Sequence, residues 1–359
     1  MKPLNRFRSL CAVTALLAAP VWGWAQDAEP VYAKMAGVSL QKRHEMLVEG
    51  AKREGTLTLY AVFTRPMMDA LVGLFAKKYP FIKTQFVREG RGDALADRYL
   101  TEYRSGRYLV DVLAGGDNAI IGLLEANVLA NYSSPEHKYF PKDYKDPQGR
   151  WAAVFISEWV FGFNTRLVDR SRLPKNYLDL LDPYWKGKIG LDPLPNNFVR
   201  GTLRAYGEKK ALDFLHKLVD TQEIQFRRGR TLQAQLLAAG EFAASPELRL
   251  SLLKELKAGG APVDYNFPYP FPVTLGGVGI FKKIPHPHAA ALFTDFWLSQ
   301  EGQQFMVDRD FTVVREGMTR LSPEGIKNMV PLSLDFRAAT DDWVRKVTTE
   351  VFAKRARGK

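Results

Sequence analysis

Apolar and polar positions alternate along this chain in two rhythms. In Thr56-Leu57-Thr58-Leu59-Tyr60 the apolar residues recur at every second position, the period of a half-buried strand. From Pro66 to Lys78 the pattern changes to helical spacing, with Pro66 suited to a first turn. The two rhythms then take turns. A strand is predicted over 82–87, a helix over 93–105 ended by Gly106, a strand over 110–113 and a helix over 118–125. A helix of polar spacing near 41–54 precedes them. Strands alternating with helices of this length predict an α/β fold with a largely parallel sheet.

The second half repeats the alternation less regularly. Residues 151–164 form a long apolar and aromatic stretch, read as a crossing between two lobes. Short strands are predicted at 188–191 and 224–226, and helices at 198–206, 208–219 and 231–239, the last ending at Gly240. Residues 265–272, rich in proline and aromatics, read as irregular; 274–281 reads as a returning strand and 288–298 as an amphipathic helix.

Candidate chemistry follows from the loops at the strand exits, because α/β sheets bind ligands beyond the carboxyl ends of their strands. Residues 61–65, 88–93 and 115–118 each lead into a helix, whose free N–H groups attract anions. Thr64, Arg65, Arg91, Gly92, Gly116 and Asp117 are the candidates there, with Asp93 and Asp117 also suited to cap helices. The corresponding loops of the second half add Asn196, Asn197, Arg228 and Arg230. Glu158 and Trp159, in the long apolar stretch, and Tyr269, in the stretch rich in proline and aromatics, are further candidates to wall the site. Arginine grips carboxylate or phosphate with a planar fork, so a small anion is the expected ligand, with Arg91 and Arg230 clamping it from opposite lobes. Asp117 and Glu158 would pair with these arginines or meet an amino group or a metal-bound ligand.

Composition narrows the class. The length of 359 residues suits two domains, and a 46% hydrophobic content supports packed cores. Lys2, Arg6 and Arg8 precede the apolar run 10–19, and Gly23-Trp24-Ala25 supplies small residues for cleavage, so residues 1–25 read as a secretory signal peptide. Pro20 ends the run before it reaches membrane length, which argues against an anchor helix. Cys11 is the one cysteine and lies within that segment, which removes disulfides and thiol nucleophiles from the mature chain. Net charge is +12; the segment's three cations account for three of these, leaving +9. An exported protein without a basic stripe of interleaved aromatics is not read as a nucleic-acid binder.

Four segments carry a family resemblance. They are the run 285–303 (Pro285-His286-Pro287-His288-Ala289-Ala290-Ala291-Leu292-Phe293 onward), Gly162-Phe163-Asn164-Thr165, residues 180–188, and Gly240-Glu241 followed by residues 257–263. In order and at this spacing they make the chain resemble the periplasmic solute-binding proteins of ABC importers, in the iron(III)-binding-like branch. The resemblance implies a type II periplasmic-binding-protein fold, two α/β lobes joined by a hinge with the ligand cleft between them. Lobe one would hold 26–160 plus 275–312 and lobe two 165–270 plus 315–359, with hinge crossings near 161–164, 271–274 and 312–315. It also implies periplasmic location, closure on a small-molecule ligand, and delivery to the transmembrane subunits of an ABC permease; a monomer is the default.

The iron binders of this branch use two adjacent tyrosines after a Gly-Glu-containing helix end. Here that stretch reads Gly240-Glu241-Phe242-Ala243-Ala244-Ser245-Pro246-Glu247-Leu248-Arg249, without a tyrosine. Ferric iron needs hard anionic oxygen donors, so the expected cargo is an anionic solute rather than the bare metal. His44, His137 and His216 are scattered, and His286 and His288 flank Pro287 at a helix start, where a turn role is expected; no metal site or cofactor is read. Two alternatives stay open: a sensing subunit for a membrane histidine kinase, with an identical clamp, and a ferric binder using other donors. An enzyme on the same fold finds no motif that names a reaction.

Overall fold

The computed structural model describes residues 25–88 and 92–357. The expected signal segment and Arg91 lie outside the described residues. Among those described, twelve strands form: β1 (Gln26–Asp27), β2 (Thr56–Ala61), β3 (Lys83–Arg88), β4 (Val112–Gly116), β5 (Ala152–Asn164), β6 (Gly190–Leu191), β7 (Gln225–Phe226), β8 (Ala244–Arg249), β9 (Val263–Asn266), β10 (Phe271–Ile280), β11 (Lys283–Ile284) and β12 (Met329–Pro331). Eight of them share one sheet, in the order β3-β2-β4-β10-β5-β8, with β12 against β10 and β9 against β5. β6 and β7 pair separately, as do β1 and β11.

The predicted parallel alternation holds where β2 pairs β3 and β4. It ends at β10, which returns antiparallel to both β4 and β5. The sheet is therefore mixed. β5 explains how it spans the molecule. Its first half, from Ala152 to Glu158, pairs with β10. Its second half, from Trp159 to Asn164, pairs with β8 and β9. A strand buried on both faces reads as an unbroken apolar run, which is why the stretch shows no alternation. Two cores follow from this arrangement. One packs β2, β4 and the helix Pro287–Leu298 around Phe75, Phe293 and Trp297; it continues to Leu248 and Leu253. The other gathers Phe161, Phe163, Trp185, Phe198 and Phe214 with Val344 and Phe352 of the C-terminal helices.

Two predicted boundaries move, for a shared reason. The strand expected at 110–113 runs to Gly116, because Gly115 and Gly116 pair with Gly277 and Gly276 of β10. The following helix, Asp117–Glu125, is consequently capped by Gly116, and Asp117 enters its first turn instead of capping it. The stretch 265–272 is less irregular than expected, since β9 ends at Asn266 and β10 starts at Phe271.

Candidate functional site

A cavity of about 820 Å³ opens where the two halves of β5 meet, a volume in the range of small-molecule sites. One wall comes from Val62 and Phe63 after β2, from Gly116 to Ala119, and from Phe155 to Glu158 of β5. The facing residues come from the start of the helix Leu250–Ala258: Arg249, Leu250, Ser251, Lys254 and Glu255. Thr274 and Leu275 of β10 and the segment Arg309–Thr312 complete it.

Two helix N-termini meet this cavity. Gly116 caps Asp117–Glu125 and Arg249 caps Leu250–Ala258, and neither cap makes a side-chain hydrogen bond to its helix. Unsatisfied N–H groups and the helix dipole make such ends attractive to anions. Arg249 and Lys254 stand beside them, and neither forms an ion pair among the described residues. Arg249 lies 5.2 Å from the ring centroid of Trp159, whose Nε1 donates to Thr274 Oγ1 at 3.2 Å. Trp159 is thus a buried shelf that aims Arg249. Arg309 is more committed: it stacks on Phe305 and donates to the Phe305 carbonyl.

The acids at the site are mostly disarmed. Glu158 is 7% exposed and its Oε1 has no hydrogen-bond partner. Burial raises its pKa, against the opposing pull of a hydrogen bond from Thr312 and the charge of Lys254. Asp117 is engaged by Arg337, whose Nε lies 3.1 Å from Asp117 Oδ2. Arg337 also donates to Asn118 Oδ1 at 2.8 Å and to Asn197 Oδ1 at 3.2 Å. One guanidinium from the helix Leu334–Val347 therefore ties the start of Asp117–Glu125 to the start of Asn196–Tyr206. Asp310 and Glu255 remain exposed at the rim.

Gly116, Asp117 and Glu158 thus line the cavity, with Trp159 directly behind Arg249. The other sequence candidates lie elsewhere. Thr64 and Arg65 begin the helix Arg65–Lys78 on the surface, where Arg65 reaches Asp69 at 3.9 Å. Gly92 opens the helix Gly92–Arg104. Asn196 and Arg228 are exposed, and Asn197 is buried against Arg337. Arg230 is spent on Glu247, at 3.0 Å, and on the Leu194 carbonyl. Tyr269 bonds through its main chain to Lys175 and Tyr177. Sequence reasoning missed Arg249, Lys254 and Arg337. Arg337 carried a signal: on the helix 334–347 it shares a face with buried Leu334 and Val344, where an apolar residue is the norm.

Arg337→Leu is expected to cost about 2 kcal/mol of stability, since it leaves Asp117 half-buried without its cation. It is also expected to loosen the tie between the two helix starts. Small-angle scattering and urea denaturation of the ligand-free chain check both effects; an unchanged radius of gyration would deny Arg337 its tethering role.

Two lobes, a β-strand running through both and a cavity where its partners change are the architecture of a periplasmic binding protein. The chain belongs to the bacterial extracellular solute-binding proteins, whose family model matches residues 109–333. Among curated proteins, it is 28% identical over 273 residues to an uncharacterized Haemophilus influenzae protein, covering 71% of this chain and 76% of that one. It is 26% identical over 231 residues to the Fe(3+)-binding periplasmic protein of Serratia marcescens, covering 62% and 64% of the two chains. Similar solved structures include the Trichodesmium protein IdiA (FutA) in complex with iron and citrate, at TM-score 0.71 and 20% identity over 83% of this chain and 99% of that one. Another is the periplasmic binding protein AfuA of Actinobacillus pleuropneumoniae with fructose-6-phosphate bound, at TM-score 0.62 and 24% identity over 83% and 98%. At these identities the structures establish the fold.

Proposed function

We propose that this chain is the periplasmic binding component of an ABC importer, capturing a small anionic solute by lobe closure and presenting it to the permease. The observation that carries the anionic reading is the pair of unpaired cations, Arg249 and Lys254, beside two helix N-termini whose cap residues make no side-chain hydrogen bond, in one cavity. The relatives support the transport role: one is named as a periplasmic iron binder and another holds a sugar phosphate. Bare ferric iron fits less well. Among the described residues, the cavity lining includes no tyrosine or histidine. Among the described residues no group of three or more His, Cys, Asp or Glu side chains is placed to hold a metal.

The lobes in this proposal are 26–160 plus 275–312 and 165–270 plus 315–359. The change of β5 partners between Glu158 and Trp159 supports a hinge adjoining the crossing at 161–164. Closure would bring the Arg249 helix toward the wall formed by Gly116 to Ala119, a hinge motion of the usual kind.

Titration calorimetry of the purified chain with citrate, phosphate esters and ferric ion tests the reading. Arg249→Ala is expected to weaken anion binding by about 2 kcal/mol, near 30-fold, as for a lost charge-assisted hydrogen bond. Binding of ferric ion alone, with Arg249→Ala without effect, would sink it.

A further inference from the structure

The cavity has a second character that a bare anion would not use. Phe63, Phe155 and Phe311 line it together. Their rings meet edge to face, with centroids 5.4 Å apart for Phe63–Phe155, 5.8 Å for Phe63–Phe311 and 5.2 Å for Phe155–Phe311. Phe63 is buried, whereas Phe155 and Phe311 keep part of their surface open. The chain makes specific room for this wall. A Cβ at Gly276 would lie 1.9 Å from the Phe155 ring, so the missing side chain lets that ring lie against β10. Leaving two partly exposed phenylalanines beside charged groups is unfavourable unless something apolar covers them. Glu158, nine-tenths buried, lines the same cavity with one oxygen unpartnered. A buried polar atom without a partner is costly, and a ligand hydrogen bond would remove that cost.

We propose that the cleft selects anions with a planar apolar body: the anionic group on Arg249 and Lys254, the body against Phe63, Phe155 and Phe311, and Glu158 as the polar contact between them. This rests on the anionic reading of the same cavity and adds the ligand's class, an aryl or similarly flat carboxylate or phosphate. Aromatic rings bury large area and favour offset or edge-to-face contact, so a flat body gains where a hydroxylated sugar would lose its hydration.

Matched pairs test it. The full chain is titrated calorimetrically with phenyl phosphate against fructose 6-phosphate, and with phthalate against citrate; each pair shares its anionic chemistry. The expected result is about tenfold tighter binding of the aryl member in at least one pair, consistent with the extra worth of an aromatic contact. Phe155→Leu and Phe311→Leu keep apolar volume and remove the ring, and each is expected to shrink that preference severalfold. Equal binding within both pairs, or tighter binding of the hydroxylated members, overturns the proposal while leaving the anionic reading standing. Binding of none of the four removes the anionic reading and this proposal with it. A preference that survives both leucine variants also overturns it, because the discrimination would then lie elsewhere.

Discussion

Asp111→Ala is expected to destabilise the protein by about 3–5 kcal/mol, the cost of breaking a buried charged hydrogen-bond set from one side. Asp111 is fully buried. It accepts the Thr58 N–H at 2.8 Å, the His286 N–H at 2.9 Å and contacts His286 Nδ1 at 2.9 Å. A second carboxylate, Glu54, does the same two residues on, accepting the N–H groups of His288 at 3.1 Å and Ala289 at 2.8 Å and meeting His288 Nδ1 at 2.6 Å. Pro287 has no N–H to satisfy. The His286-Pro287-His288-Ala289 segment thus opens the helix Pro287–Leu298 with its first donors held by two acids, Asp111 just before β4 and Glu54 at the end of the helix Leu40–Glu54. Even the neighbouring helix is shaped for it, since a Cβ at Gly50 would strike the His288 ring at 2.2 Å. Both imidazoles are engaged in building this helix start.

The pH dependence of that loss has a sign. Burial pulls the His286 pKa down, but the hydrogen bond and charge of Asp111 outweigh it, and the pKa stands above the ordinary histidine value. A raised histidine pKa contributes stability that is full below the unfolded value of about 6.5 and is lost as pH rises through the folded one. The gap between wild type and Asp111→Ala should therefore narrow on the alkaline side. Burial also raises the Asp111 pKa, and a carboxyl that binds its proton more tightly in the folded state likewise favours folding on the acid side, so both shifts place the larger gap at low pH. Urea midpoints of both proteins across pH check this; Asp111→Asn, which keeps an acceptor, should lose less. A gap that stays constant across pH would mean the pair is not ionised in the folded state.

The sequence made the first lobe's elements legible because each is short, regularly spaced and ended by a recognisable residue. Gly106, with φ of +74°, follows the helix Gly92–Arg104 as expected, and Pro66 sits in the first turn of Arg65–Lys78. The site was less legible. Strand exits point to an edge of a sheet, not to the side of that edge the cavity occupies. Gly116 and Asp117 face it, whereas Thr64 and Arg65, one loop away, do not. Arg249 and Lys254 were hidden because Pro246 falls inside β8, and a proline within a run argues against reading it as a strand. The polar side chains of β8 find only tertiary partners: Ser245 bonds Gln233, and Glu247 Oε1 bonds Arg230 and the Asn197 N–H. Arg337 depends in the same way on three residues more than 130 positions distant in the chain. Local pattern carries no record of such partners.

Anion affinity is expected to fall as pH rises, by up to tenfold per pH unit once Glu158 ionises, the limit for one linked proton. Burial raises the Glu158 pKa above the ordinary glutamate value, with Thr312 and Lys254 acting in the other direction. Below that pKa the side chain is a neutral carboxylic acid, able to donate a hydrogen bond to an anionic oxygen. Above it the same oxygens repel the ligand. The other charged groups around the cavity are arginines, Lys254, Asp310, Glu255 and the Arg337-bound Asp117, and Glu158 is the acid among them that both lines the cavity and has its pKa raised. Benzenesulfonate is a suitable probe, because it stays anionic throughout and any pH dependence belongs to the protein. Calorimetric titrations between pH 4 and 9 should show affinity flat on the acid side and declining on the alkaline side. Glu158→Gln fixes the group as a neutral donor, so it should hold its affinity at high pH and flatten the profile. If wild type and Glu158→Gln decline together, the proton belongs to another group, and Glu158 is a buried acid that the ligand does not meet.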